Sequence, residues 1–364
     1  MMHGPKQLSL DPYPPSPSPL IRGKGREGLG VMTLLCLILL ASTARADLAA
    51  RVQRLTAPYG NKVGFTFLDL KSGRQLSVNG SREYPAASVA KVPVMACALH
   101  LSDLGQLNLK KKVLFRESDK LEGAGVLRWI PAGQEYTLWN LLRLMITLSD
   151  NTATRLAVLS VGTTEINSYV KELGLRQTRV IDPTMLVEPP ATNNNLTTPD
   201  EMAKVVAAIY CRRGFTKGAA KQMITWMNYQ RYRWGIWRGV PPGTYVANKT
   251  GQLEGILNDV GIVYTKKGDY ILSIFTWGFP KVREARILIN ELSRAAYEEY
   301  TGEKVLDPRP AKRAAIVRRN GRPVKKTALK RRAFKKRTIK RPSVRRTAAK
   351  PRARRHHPAR KQIG

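Results

Sequence analysis

Three short polar groups interrupt otherwise apolar stretches of this 364-residue chain: Ser88 and Lys91 in YPAASVAKVPVMACALH, Ser149-Asp150-Asn151 in LMITLSDNTATRL, and Lys249-Thr250-Gly251 in VANKTGQLEG. A serine and a lysine three residues apart fall on one face of a helix. There the amine, once burial and nearby cations keep it neutral, can take the proton of the hydroxyl. A serine at the start of a helix also meets the positive end of the helix dipole, which favours a developing oxyanion. The chemistry on offer is attack by Ser88 Oγ on a carbonyl, with Lys91 as the base.

Taken singly, each group has a plainer reading: a surface serine beside a solvated lysine, a helix cap, and a turn. The residue inventory narrows the alternatives. Between Asp47 and Asp307 the one histidine is His100, about 18 Å from Ser88 along the same helix, which excludes a Ser-His-Asp triad. Cys97 and Cys211 are the only other soft ligands there, so a zinc hydrolase centre is not expected. No metal and no cofactor is called for.

Together and in this order, the three groups resemble those of class A β-lactamases and penicillin-binding proteins. The likeness runs from about Asp47 to Tyr300 and extends to NNLTTPDEMA and to VANKTGQLEGILNDVGIV. The resemblance implies that Ser149 relays the proton towards the leaving nitrogen and that Asn151 binds the substrate's amide side chain. Lys249 would supply positive charge beside Ser149, Thr250 would bind a substrate carboxylate from a strand edge, and Gly251 would let the substrate lie against that strand. The oxyanion hole would be made by the backbone N–H groups of Ser88 and Gln252. The substrate implied is a β-lactam or a peptide ending in D-Ala-D-Ala.

The sequence departs from the family at the step that releases the acyl group. Class A β-lactamases use a glutamate in the loop before the T-T-P helix to activate water. Here that loop reads IDPTMLVEPPATNNNLTTP, with Glu188 as its one glutamate, Asp182 as a weaker candidate, and Asn193 one residue later than the E-x-x-x-N arrangement expects. Three functions follow: β-lactam hydrolysis, a D,D-peptidase on cell-wall peptides that shares the acylation apparatus, or a catalytically weak binding protein that keeps the fold.

The elements that must position these residues can be read from periodicity. GFTFLDL and RQLSVNG flank Lys71-Ser72-Gly73 as a hairpin. From Ala86 to about Thr225 the pattern is helical, with Leu138, Leu141, Leu142 and Met145 on one face. Thr198-Pro199-Asp200-Glu201 supplies an N-cap, a proline at the first helical position and a capping-box acid. Strands return at TYVANKTG, NDVGIVYT and YILSIFTWG, before a last helix from about Val282 to Tyr300. The fold class expected is α/β (α+β), an antiparallel sheet built from both ends of the domain, flanked by helices, with an inserted all-helical subdomain. Trp226 to Gly243, rich in aromatics and arginine, reads as a surface or cleft wall, and nucleic acid is not expected to bind the folded domain.

Outside residues 47–307 the composition changes. Residues 1–46 hold a Pro-, Gly- and Ser-rich preamble, basic residues and a short apolar run ending at Ala44-Arg45-Ala46. They read as a signal peptide cut before Asp47, hence export to the periplasm or medium. Residues 308–364 carry 24 of the chain's 63 lysines and arginines and no acid. This composition predicts a disordered tail drawn to anionic polymers or membrane surfaces, which would hold the protein at the cell envelope. Cys97 and Cys211 are both expected in the core.

Overall fold

The computed structural model describes residues 48–183 and 195–306. A first helix, α1 (48–56), leads through a 3-10 turn into β1 (Val63–Asp69), β2 (Gln75–Val78) and the short β3 (Tyr84–Pro85). Next come α2 (Lys91–Asp103), β4 (Lys112–Leu114), β5 (Glu135–Thr137), α3 (Leu138–Thr147), α4 (Asn151–Val161) and α5 (Thr163–Glu172). After these follow β6 (Leu196–Thr197), α6 (Pro199–Tyr210) and α7 (Lys217–Asn228). The strands β7 (Val246–Leu253), β8 (Ile256–Val263) and β9 (Tyr270–Thr276) precede the long α8 (Val282–Thr301).

The main sheet has the order β2-β1-β9-β8-β7 and is antiparallel throughout. The first strand of the domain therefore pairs with the last, Val63 opposite Thr276, as expected for a sheet assembled from both ends. Each residue of β8 and β9 is buried, because both faces of the sheet are covered. Val260, Ile262, Ile271 and Phe275 join the core of α2–α7, whereas Leu257, Val263, Leu272 and Ile274 pack with Leu48, Val52, Leu288 and Leu292 of α1 and α8. The alternation is the period of two that a strand imposes on its side chains.

Inside the helical block, α2 is apolar on nearly every side, and Val92 to Leu99 are all buried. That is the pattern of a central helix enclosed by others. The block is not wholly helical, since β4 pairs with β5 and β3 with β6. These strands of two or three residues are too short to set up a readable alternation.

Two local expectations need correction. Thr198 caps α6, its Oγ1 accepting from Glu201 N–H at 3.1 Å, but the Glu201 carboxylate does not complete a capping box. It accepts instead from the backbone N–H groups of Arg176, Gln177 and Thr178, the last at 2.6 Å, and from the Thr178 hydroxyl at 2.7 Å. Several donors on one buried carboxylate outweigh the single N–H of a capping box. Cys97 is buried, and burial pushes its thiol up to about 12, but Cys211 is exposed. Cys211 follows the last turn of α6, two positions past Ile209 and so roughly on the opposite side from the Met202, Val205, Val206 and Ile209 face.

Candidate active site

Ser88 lies in a 3-10 turn, Ala87–Ala90, that runs directly into α2, whose first residue is Lys91. The nucleophile candidate is thus one turn ahead of the α-helix rather than within it. In a 3-10 turn residues i and i+3 eclipse each other, so the two side chains still share a face, and the backbone N–H of Lys91 bonds the carbonyl of Ser88. Ala87, just before the serine, takes φ 48°, a left-handed conformation that costs a residue with a Cβ on the order of 1–3 kcal/mol. The surroundings hold it there. Asn258 of β8 donates from Nδ2 to the carbonyls of Pro85 and Ala86 at 2.9 and 3.1 Å. Gly251 of β7 presses on the same turn, where a Cβ would stand 3.1 Å from the Ala86 oxygen and 3.2 Å from the Ala87 Cβ. The glycine expected for substrate clearance is therefore also required by the close approach of β7 to the turn that carries Ser88.

Ser149 sits between α3 and α4 at φ 54°. Its neighbour Asp150 caps α4, accepting from Ala153 N–H at 2.9 Å, and reaches the loop 121–127 through Val126 N–H at 2.6 Å and Leu127 N–H at 2.9 Å. Asn151 donates from Nδ2 to the carbonyl of Glu122 at 2.9 Å and accepts at Oδ1 from Lys91 Nζ, also at 2.9 Å.

The amines of Lys91 and Lys249 converge on Ser149. Lys91 Nζ lies 2.8 Å from Ser149 O and 3.2 Å from Ser149 Oγ, and Lys249 Nζ lies 3.0 Å from Ser149 Oγ and 2.6 Å from Thr250 O. Both lysines are fully buried, with no measurable exposure. Burial holds Lys91 well below the ordinary lysine range; the positive charge of Lys249 pushes the same way, and Asp150 opposes both. Lys249 is lowered by burial to about 7, against the opposing pull of Asp259. Asp259 is itself raised by burial to about 7, with Asn248 Nδ2 and Ile236 N–H donating to it at 2.7 Å each. In its neutral form Lys91 keeps two N–H donors for Ser149 O and Asn151 Oδ1, which leaves its lone pair for a hydroxyl proton. Two amines on either side of one hydroxyl, one of them held neutral, are an arrangement able to pass a proton through Ser149 Oγ.

Thr250 and Gln252 lie on β7 next to Lys249, and Gln252 is exposed, its Oε1 accepting from Arg286 Nη2 of α8 at 3.2 Å. The structure thus draws Ser149, Asn151, Lys249, Thr250, Gly251 and the Ser88 turn together. Glu188 falls outside the described residues. Asp182 is described, and its backbone N–H donates to Asn195 Oδ1 at 3.0 Å. Residues that the motifs did not indicate also belong to the site's frame: Asn258, Glu122 to Gly125, and Gln230, a buried glutamine bonded to β7. The signal available for Asn258 and Asp259 was a pair of polar residues inside an apolar strand.

Comparison with known proteins agrees with this geometry. Residues 47–300 match the beta-lactamase enzyme family. A beta-lactamase from Sphaerobacter thermophilus is similar at 31% identity with a TM-score of 0.67, over 71% of this chain and 99% of that one. The structure of PBP-A is similar at 26% identity and a TM-score of 0.65, over 71% and 97%. An ancestral class A beta-lactamase shares the fold at 23% identity and a TM-score of 0.64, over 69% and 99%. The chain belongs to the beta-lactamase enzyme family.

Proposed function

We propose that this serine hydrolase opens β-lactam rings through an acyl-enzyme on Ser88. The observation that carries the reading is the pair of buried lysines converging on Ser149 Oγ at 3.2 and 3.0 Å. Neutral Lys91 takes the proton of Ser88 Oγ as the oxygen bonds to the lactam carbonyl. The negative charge that develops on the carbonyl oxygen meets the backbone N–H groups of Ser88 and Gln252. The proton then passes from Lys91 by way of Ser149 to the ring nitrogen as the C–N bond breaks, and Lys249 and Thr250 face the substrate carboxylate. Water activated by Glu188 releases the product and frees Ser88. In the same reading the enzyme acts after export, in the periplasm or beyond it.

A second reading, a D,D-peptidase with a long-lived acyl-enzyme, is favoured by the similarity to PBP-A, a mutant of which has been solved as an acyl-enzyme with penicillin G. Turnover of a chromogenic cephalosporin followed by mass spectrometry of the protein separates the two. Rapid turnover supports the hydrolase, and a stable adduct on Ser88 supports the peptidase. Ser88→Ala is expected to lose labelling altogether while remaining folded. Glu188→Gln is expected to acylate at nearly the parent rate and then hold the adduct. Release at the parent rate from that variant would show Glu188 to be an ordinary loop acid.

A further inference from the structure

Gln230 lies between α7 and β7, in the stretch that the sequence marks only as a wall, and is 1% exposed. Its carboxamide is bound to the edge of β7 that faces away from β8. Nε2 donates to Asn248 O at 2.7 Å, while Oε1 accepts from Thr250 N–H at 3.1 Å and from the Thr250 hydroxyl at 2.5 Å. The partners fix the orientation of the amide, because a backbone carbonyl only accepts and a backbone N–H only donates. Gln230 Oε1 therefore faces Thr250, and since that oxygen has no proton, the hydroxyl must be the donor. The one proton of the Thr250 hydroxyl points at Gln230, and Oγ1 presents lone pairs to any other neighbour.

A hydroxyl that recognises a carboxylate has to donate to it. We infer that Gln230 is a positioning residue that holds the Thr250 proton away from the substrate and so lowers the site's preference for acyl donors carrying a carboxylate over neutral ones. The inference rests on the proposed acylation of Ser88 and deepens it, since it states which substrates the site tolerates: the site discriminates less between carboxylates and neutral esters or amides of the same acyl skeleton than a freely donating Thr250 hydroxyl would make it. Lys249 still attracts an anion by its charge. What Gln230 withholds is the directed hydrogen bond that would add to it.

The test uses the full-length protein, penicillin G and penicillin G methyl ester, with the rate and saturation of Ser88 acylation followed by mass spectrometry. Gln230→Met removes the acceptor at similar volume. It is expected to raise the acylation efficiency of the acid about fivefold through a lower KM and to change the ester less than about twofold, the range of one released hydrogen bond. Thr250→Val is expected to lower the acid-to-ester ratio less than about threefold in the parent, but to abolish the whole gain in the Gln230→Met background. Equal factors for acid and ester in Gln230→Met would overturn the inference and leave Gln230 as a brace for β7. Should Gln230→Met fail to fold, Thr250→Val decides alone: a selective loss for the acid of about threefold or more would mean that the hydroxyl already serves the carboxylate, which overturns the inference. No acylation of the parent by either compound would overturn the proposed function and this inference with it.

Discussion

Ser149 Oγ receives two amines whose burial moves both away from the ordinary lysine range, Lys249 to about 7 and Lys91 well below its usual value. In the proposed acylation the two shifts act on opposite sides of the reaction, since Lys91 would work as the neutral base and Lys249 as the cation. Raising the pH through about 7 removes the charge of Lys249, so acylation by a carboxylate-bearing β-lactam is expected to decline on the alkaline side of neutrality. Lowering the pH protonates Lys91 and shuts off the base. Pseudo-first-order acylation rates from pH 5 to 10 measure both limbs, and Lys249→Arg, which keeps its charge throughout, is expected to remove the alkaline one. Lys91→Ala is expected to slow acylation by roughly two to four orders of magnitude, the range for losing a positioned base. Stability follows the same protons. A lysine with a lowered folded value binds its proton more weakly than the unfolded chain does, so the contribution of Lys249 to stability rises with pH from about 7 towards its ordinary value. Asp259, raised to about 7, contributes in the opposite sense as pH increases from the ordinary carboxylate range up to about 7. Ser88, Lys91, Ser149, Asn151 and Lys249 were legible because their types recur in a fixed order. Gln230 and Asn258 were not, since each bonds backbone atoms that only the fold brings near, and a lone amide has no sequence pattern of its own.

The loop 121–127 and the junction of α3 with α4 work as one piece. Gly125 takes φ 114°, and a Cβ there would stand 2.3 Å from Asp150 Oδ2 and 2.5 Å from the Asp150 Cα. Neither the backbone conformation nor the space admits a side chain, so Gly125→Ala is expected to destabilise the domain by roughly 2 kcal/mol or more, through strain and overpacking together. Because Asp150 is the neighbour displaced, acylation is expected to fall further than stability alone explains. Thermal melting and acylation rates on the same variant give both quantities. At this scale the hairpin β1–β2, the cap at Thr198 and the extent of α8 could be read from alternation, capping residues and apolar spacing. The role of Glu201 could not, because a Thr-x-x-Glu spacing is also satisfied by a carboxylate that faces another segment, and here residues 176–178 offer more donors than the helix end does. The short pairs β3–β6 and β4–β5 stayed hidden for a related reason: two or three residues cannot declare a period.

At the level of the whole chain, charge and catalysis occupy separate stretches. Lys249 and the strands behind it lie before Leu306, while the 24 basic residues begin at Arg309. We propose that this tail holds the exported enzyme to an anionic surface by counterion release, a contribution that needs no specific sequence and weakens steeply with salt. Truncation after Asp307 is expected to free the protein from cell envelopes at low salt and to leave turnover of a small β-lactam within about twofold of the parent. Equal retention of the two forms in a sedimentation assay would refute the tether. The pairing of Val63 with Thr276 has a consequence for how the molecule comes into being. Strand β1 leaves the ribosome long before its partner β9 exists, and through that interval only its β2 edge can be paired while the other edge stays open. Contacts so far apart in the chain make for slow closure and a long exposure to wrong partners. Moreover β7, which bears Lys249, is anchored through β8 to β9, so a chain arrested short of β9 holds Ser88 without the framework that sets its second lysine in place. Reactivity and completion of the sheet arrive together, and an unfinished copy of this protein is an aggregation risk before it is ever a hydrolase.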